Sequence, residues 1–275
     1  MGLLNRFTRW ITGDGRPRWA FILPSLVLLA LLGLPIIAVF WKSINKNFFI
    51  YALAPTALSA LRLSLLTSTL STLLVMAAGL PLAYILARWK FHGKTALELL
   101  VDLPVVLPPS VAGLALLVAF GRQGVFGRWL FPLGISLPFT TAAVVMAQTF
   151  VSAPLFVRSV KVGFAEIDPQ MEEAAFVEGA SELQLFRFIM LPLAWRSLLT
   201  GSILTWARAL GEFGATLMFA GNLIGKTQTM PLAIYLGLES GLGVALALSV
   251  MLVMVSVVLL GVVRNLEKKV HVGVP

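Results

Sequence analysis

Two opposite charges stand in an otherwise apolar stretch of this chain. Arg208 and Glu212 lie four residues apart within the window 198–220. At helical spacing they share one face, with Leu204 and Thr216 one turn to either side. A charge at mid-bilayer costs about 2.5–3.5 kcal/mol, so such residues turn to a bundle interior and pair. The pair is either a structural bridge between helices or part of a pathway or its gate. Leu204, Arg208, Glu212 and Thr216 are therefore the candidate pathway residues. A basic side chain there suits an anion, although Glu212 neutralises it.

Other chemistry is thinly supplied. The chain has no cysteine, which excludes disulfides, iron–sulfur clusters, thiolate zinc sites and cysteine nucleophiles. The two histidines, His92 and His271, are too few for haem or a multi-histidine metal centre. No Ser/His/Asp set or paired intramembrane carboxylates stand out, so no catalytic residue, metal ligand or cofactor site is assigned. Gly225-Lys226-Thr227 mimics the end of a phosphate-binding loop, but the glycine that loop needs at position 220 is Ala220. The chain is expected neither to bind ATP nor to be an enzyme.

The elements that carry these residues follow from composition. Hydrophobic residues make up 59% of the 275 positions and charged ones 12%, about half the usual charged share of ~25%. A soluble core of this size cannot bury so much apolar surface, so a bilayer must face it. Six windows are long enough to cross it: 20–40, 63–87, 101–120, 135–157, 198–220 and 243–263. Each must be a helix, since the alternation of a barrel strand is absent. The expected fold is all-α and polytopic, a single transmembrane domain over 1–275. The first window is too long for the apolar core of a cleaved signal peptide.

Basic residues orient the spans. Fourteen Lys and Arg fall on the side of both termini and five on the other. Both termini are then cytoplasmic, with a segment 1–19 and a tail 264–275 on that face. The net charge of +9 has this origin, and nucleic acid is not an expected partner.

The cytoplasmic stretch 158–196 holds six of the twelve acids: Glu166, Asp168, Glu172, Glu173, Glu178 and Glu182. Asp168-Pro169 reads as an N-cap followed by proline at the first helical position. Gly179 is placed to end that helix, and Ser181 to Gln184 reads as the capping box of a second. Pro192 stops or kinks the latter. Two short helices with a sharp joint at Gly179 are a docking surface or a structured connector.

Glu173, Ala174, Ala175, Gly179, Ile189, Leu191 and Pro192 reproduce the pattern E-A-A-x3-G-x9-I-x-L-P. The chain thereby resembles the membrane subunits of binding-protein-dependent ATP-binding-cassette importers. The stretches 103–113, 208–216, 220–222 and 227–235 resemble the molybdate and sulfate branch, the last two nearer the molybdate type. The resemblance implies the type I importer fold and an inner membrane of a prokaryote. It implies two copies of this chain, two ATPase subunits holding ATP and Mg²⁺, and an extracytoplasmic oxyanion-binding protein. It further implies that the seven matched residues form a coupling element seated in the ATPase. Molybdate is the expected substrate. Tungstate, sulfate or thiosulfate are alternatives within the branch, and an ion-coupled secondary transporter is the alternative outside it.

Overall fold

Proline placement and apolar run length explain most of the helix boundaries. The structure is a computed structural model that describes residues 19–44 and 47–271, with side chains as far as Gly261. Residues 1–18, 45–46 and 272–275 lie outside the described residues. So do the arginines expected on the amino-terminal segment and the end of the expected tail.

The helices are α1 (Trp19–Ser43), α2 (Pro55–Arg88), α3 (Lys94–Val106), α4 (Pro109–Phe120), α5 (Thr141–Ala165) and α6 (Pro169–Val177). They continue with α7 (Glu182–Leu193), α8 (Trp195–Leu210), α9 (Gly214–Ala220), α10 (Met230–Ser240) and α11 (Leu242–His271). The connections between them include short helices at Phe48–Ala52 and Gly127–Leu130, and no strand occurs among the described residues. Helices α1, α2, α5 and α11 are each long and apolar enough to cross a membrane. The bent pairs α3–α4 and α7–α8 make six spans when each counts as one.

Three expected spans are corrected. The window 101–120 is not one helix, because α3 and α4 meet at a 118° bend. Leu107 and Pro108 each precede a proline, and both adopt extended backbone, ψ 133° and 136°. The proline ring disfavours the helical region for the residue before it, so two in succession break the helix. Pro109 then starts α4, where its missing N–H costs nothing.

The window 135–157 is displaced. Helix α5 begins at Thr141, capped by the Thr140 hydroxyl accepting from the Ala143 amide, and runs to Ala165. Arg158 and Lys161 therefore belong to this helix and not to the loop. They are tolerated because α3 supplies partners. Arg158 pairs with Asp102, and Lys161 lies 2.7 Å from Glu98.

The window 198–220 is interrupted. Helix α8 ends at Leu210, Gly211 to Phe213 are unwound, and α9 begins at Gly214. The stretch after it is also not a simple external loop. The Met230 amide donates to the Ser64 hydroxyl at 2.7 Å, in the third turn of α2, so the chain turns back into the bundle before α10.

Helix α2 packs most broadly on α5, and α8 lies against both. Hydrocarbon gives apolar side chains no preference for one another, so close packing and polar contacts must hold these helices. Ser64, Ser68 and Ser71 of α2 are buried, as are Ala143, Ala147 and Gln148 of α5. The Ser71 hydroxyl donates to Gln148 Oε1 at 3.2 Å. Helix α1 buries nothing along its apolar window and touches the rest of the chain chiefly at α11.

Candidate functional site

The cytoplasmic stretch folds through its caps. The Asp168 carboxylate accepts from the Gln170 amide at 2.9 Å and starts α6, with Pro169 first in the helix. Gly179 follows with φ +86°, a left-handed conformation that L side chains avoid, and the chain reverses there. The Ser181 hydroxyl accepts from the Gln184 amide at 3.3 Å, and Gln184 Oε1 accepts from the Ser181 amide at 2.8 Å. This reciprocal box opens α7. A wider π-helical turn at Phe186–Met190 and Pro192 follow, and α7 bends by 72° into α8.

The seven motif residues divide by exposure. Ala175 is buried, and Ile189 and Leu191 pack on the same apolar cluster as Leu185, Met190 and Phe164. Glu173, Ala174, Gly179 and Pro192 face outward. Around the joint stand Phe176, Val177 and Leu183, of which Val177 is 88% exposed. The result is an apolar knuckle ringed by acids, held from behind by the inner ends of α2 and α5.

Its attachment was not anticipated from sequence. Arg88, the last residue of α2, puts Nε 2.8 Å from Glu172 Oε1 and donates from a terminal nitrogen to the Ile167 carbonyl at 2.7 Å. Both side chains are largely buried, 12% and 20% exposed. Glu173, the motif acid, makes no ion pair among the described residues. The neighbouring acid takes the intramolecular role and leaves Glu173 free for a partner. No local sequence signal marks it, since Arg88 and Glu172 stand 84 positions apart.

The candidate pathway residues do not share one helix face. Leu204 is half-exposed on α8, whereas Thr216 is buried in α9. Glu212 lies in the unwound segment between them. Its Oε2 is 2.6 Å from Arg208, and its Oε1 accepts from the Ala215 amide at 2.8 Å. Glu212 is 1% exposed and the Arg208 side chain 34%. One carboxylate thus neutralises the arginine and satisfies an otherwise unpaired amide at the start of α9.

Close approach of α4 and α9 fixes this break. A Cβ on Gly113 would stand 2.7 Å from the Ala215 carbonyl, and one on Gly214 would stand 2.8 Å from Pro109 Cβ. The two interrupted segments therefore pack backbone to backbone. The phosphate-loop mimic folds into a turn in which the Leu223 carbonyl accepts from the amides of Lys226, Thr227 and Gln228.

Residues 79–272 match the family of binding-protein-dependent transport system inner membrane components. The chain belongs to that family. This permease is 42% identical over 247 residues to the molybdenum transport system permease protein ModB of Mycobacterium bovis, covering 90% of this chain and 93% of that one. It is 38% identical over 206 residues to ModB of Escherichia coli strain K12, covering 73% and 90%. Its fold matches a bacterial ABC transporter that imports the acidic polysaccharide alginate, with a TM-score of 0.78 over 97% of this chain and 98% of that one, at 17% identity. The permease therefore has the all-helical fold of an ABC importer membrane domain and is a multi-pass inner-membrane protein.

Proposed function

We propose that this permease carries molybdate inward across the membrane, driven by ATP hydrolysis on a separate subunit. The observation that carries the reading is the apolar knuckle at Gly179. Phe176, Val177 and Leu183 are exposed there beside Glu173, on the face that the positive charges assign to the cytoplasm. An exposed apolar patch rimmed by charge marks a protein interface. Its occupant is an ATPase subunit that holds ATP and Mg²⁺ and receives α6 and the joint in a cleft. Glu173 meets a basic or backbone donor there. ATP binding draws two such subunits together, moves the knuckles of two permease copies and opens the path outward, and hydrolysis resets it.

The substrate assignment draws on relatives that are named for molybdenum transport and match most of the chain. An extracytoplasmic binding protein delivers the anion. The Arg208–Glu212 pair acts as a latch at the break between α8 and α9. The test is uptake by the permease reconstituted with its ATPase and binding protein. Molybdate uptake should be blocked by excess tungstate and barely by sulfate. Preferential uptake of sulfate would transfer the assignment to the sulfate branch.

A further inference from the structure

We propose that Arg88, with Tyr84 one turn before it, is the grip through which the coupling loop moves α2. This rests on the coupling reading of α6 and α7. In that reading the loop receives the push of the ATPase, and the chain itself hands the push only to α5 and α8, to which the loop is joined covalently. Helix α2 has no such connection. It packs along α5 and α8 and must move with them for the bundle to rearrange.

The inner end of α2 holds both limbs of the loop. On the first limb Arg88 divides its guanidinium between the Glu172 carboxylate at 2.8 Å and the Ile167 carbonyl at 2.7 Å. The planar guanidinium sets one directed bond on the carbonyl while its charge lies against the carboxylate, a division that an ammonium point charge does not reproduce. Between the limbs Tyr84 stands edge-on to Phe164 of α5 and Phe186 of α7, with ring centroids 5.5 and 5.0 Å apart. Phe164 and Phe186 meet each other at 6.0 Å. Ala83 and Leu86 lie in one buried cluster with Ala175, Leu185 and Met190. A displaced α6 therefore pulls on Arg88, and a displaced α7 presses on Tyr84. Arg88 touches neither nucleotide nor anion in this scheme and is a positioning residue.

A mere staple would lower the amount of folded complex, so that uptake and hydrolysis fell together. A grip lowers the anions moved per ATP. The test measures both rates in the reconstituted complex for Arg88→Gln, Arg88→Lys and Glu172→Gln. Arg88→Gln should hydrolyse ATP at near the parental rate and move about tenfold less molybdate per ATP, within the about 5–150-fold usual for coupling between sites. Arg88→Lys should recover part of the loss. Should Arg88→Gln not assemble, Glu172→Gln, which keeps the carbonyl contact, should still lower the ratio severalfold. A parental ratio in either assembled glutamine variant would overturn the proposal.

The chain has no cysteine, so a single one at the exposed Glu173 probes the coupling reading separately. Its cross-linking to the ATPase together with a parental ratio in Arg88→Gln removes the grip alone. Absence of the cross-link in the assembled complex removes the coupling reading beneath it.

Discussion

Arg208 stands in the last turn of helix α8 and Glu212 lies beyond its end, yet their side chains meet at 2.6 Å across the unwound turn. The i,i+4 spacing brings them together although the helix that would explain it has stopped. The bond to the Ala215 amide makes the carboxylate a joint between two helices as well as a counter-charge.

The two halves of the pair should not be equivalent. Arg208→Ala leaves a carboxylate that is 1% exposed without its cation, whereas Glu212→Ala leaves a cation that is one-third exposed. Removing one partner of a buried pair costs on the order of 3–5 kcal/mol, and the exposure of Arg208 lowers its share. Thermal unfolding in detergent should therefore rank Arg208→Ala as the least stable, Glu212→Ala next, and the double variant Arg208→Ala/Glu212→Gln above the single Arg208→Ala. The opposite order would mean that the cap on α9, rather than the charge, dominates.

Gly179→Val should separate hydrolysis from transport. At φ +86° a β-branched residue adds about 1–3 kcal/mol of backbone strain and shifts the joint. Gly179→Asn should be milder, since asparagine tolerates that conformation. The comparison is molybdate moved per ATP in the reconstituted complex. Equal ratios for valine, asparagine and glycine would show that the geometry of the joint is immaterial.

Close approach at Gly113 should make even a methyl group felt. Gly113→Ala puts Cβ 2.7 Å from both the Ala215 carbonyl and Met218 Cβ, and overpacking of this kind costs about 1–3 kcal/mol. Gly33→Ala meets nothing within 4 Å on α1 and is the matched control. Melting temperatures of the purified permease should fall for the first and hold for the second.

Loss of the capping box should be small and local. Ser181→Ala removes one acceptor at the start of α7 and should cost about 1 kcal/mol. Hydrogen exchange should quicken at Leu183 to Leu185 and leave α5 unchanged. Spread of the change into α5 would show that the two limbs of the loop are less independent than the caps imply.

Local chemistry was readable in the sequence because its causes lie within a few residues. Asp168, Pro169, Gly179, Ser181 and Gln184 each act on their own backbone or on neighbours at most a few positions away, and each does in the structure what its type dictates. The apolar windows located the spans but not their ends. Arg158 and Lys161 read as loop residues because their neutralising acids, Asp102 and Glu98, sit on another helix. Pro108 and Pro109 break the helix locally, but the 118° turn depends on how α4 packs against α9. Periodicity does not mark the unwound turn at Gly211 to Phe213, but the glycines at 211 and 214 permit one there. The hold of Arg88 on Glu172 joins residues far apart in sequence, and spacing carries no trace of it.

In the proposed mechanism an ATPase docked at the Gly179 knuckle powers transport. Uptake of radiolabelled molybdate into proteoliposomes, with a hydrolysis-dead ATPase set against the active one, tests it most directly. Uptake should require the active ATPase and persist when the proton gradient is collapsed. Uptake that continues with the dead ATPase and follows the proton gradient would contradict it.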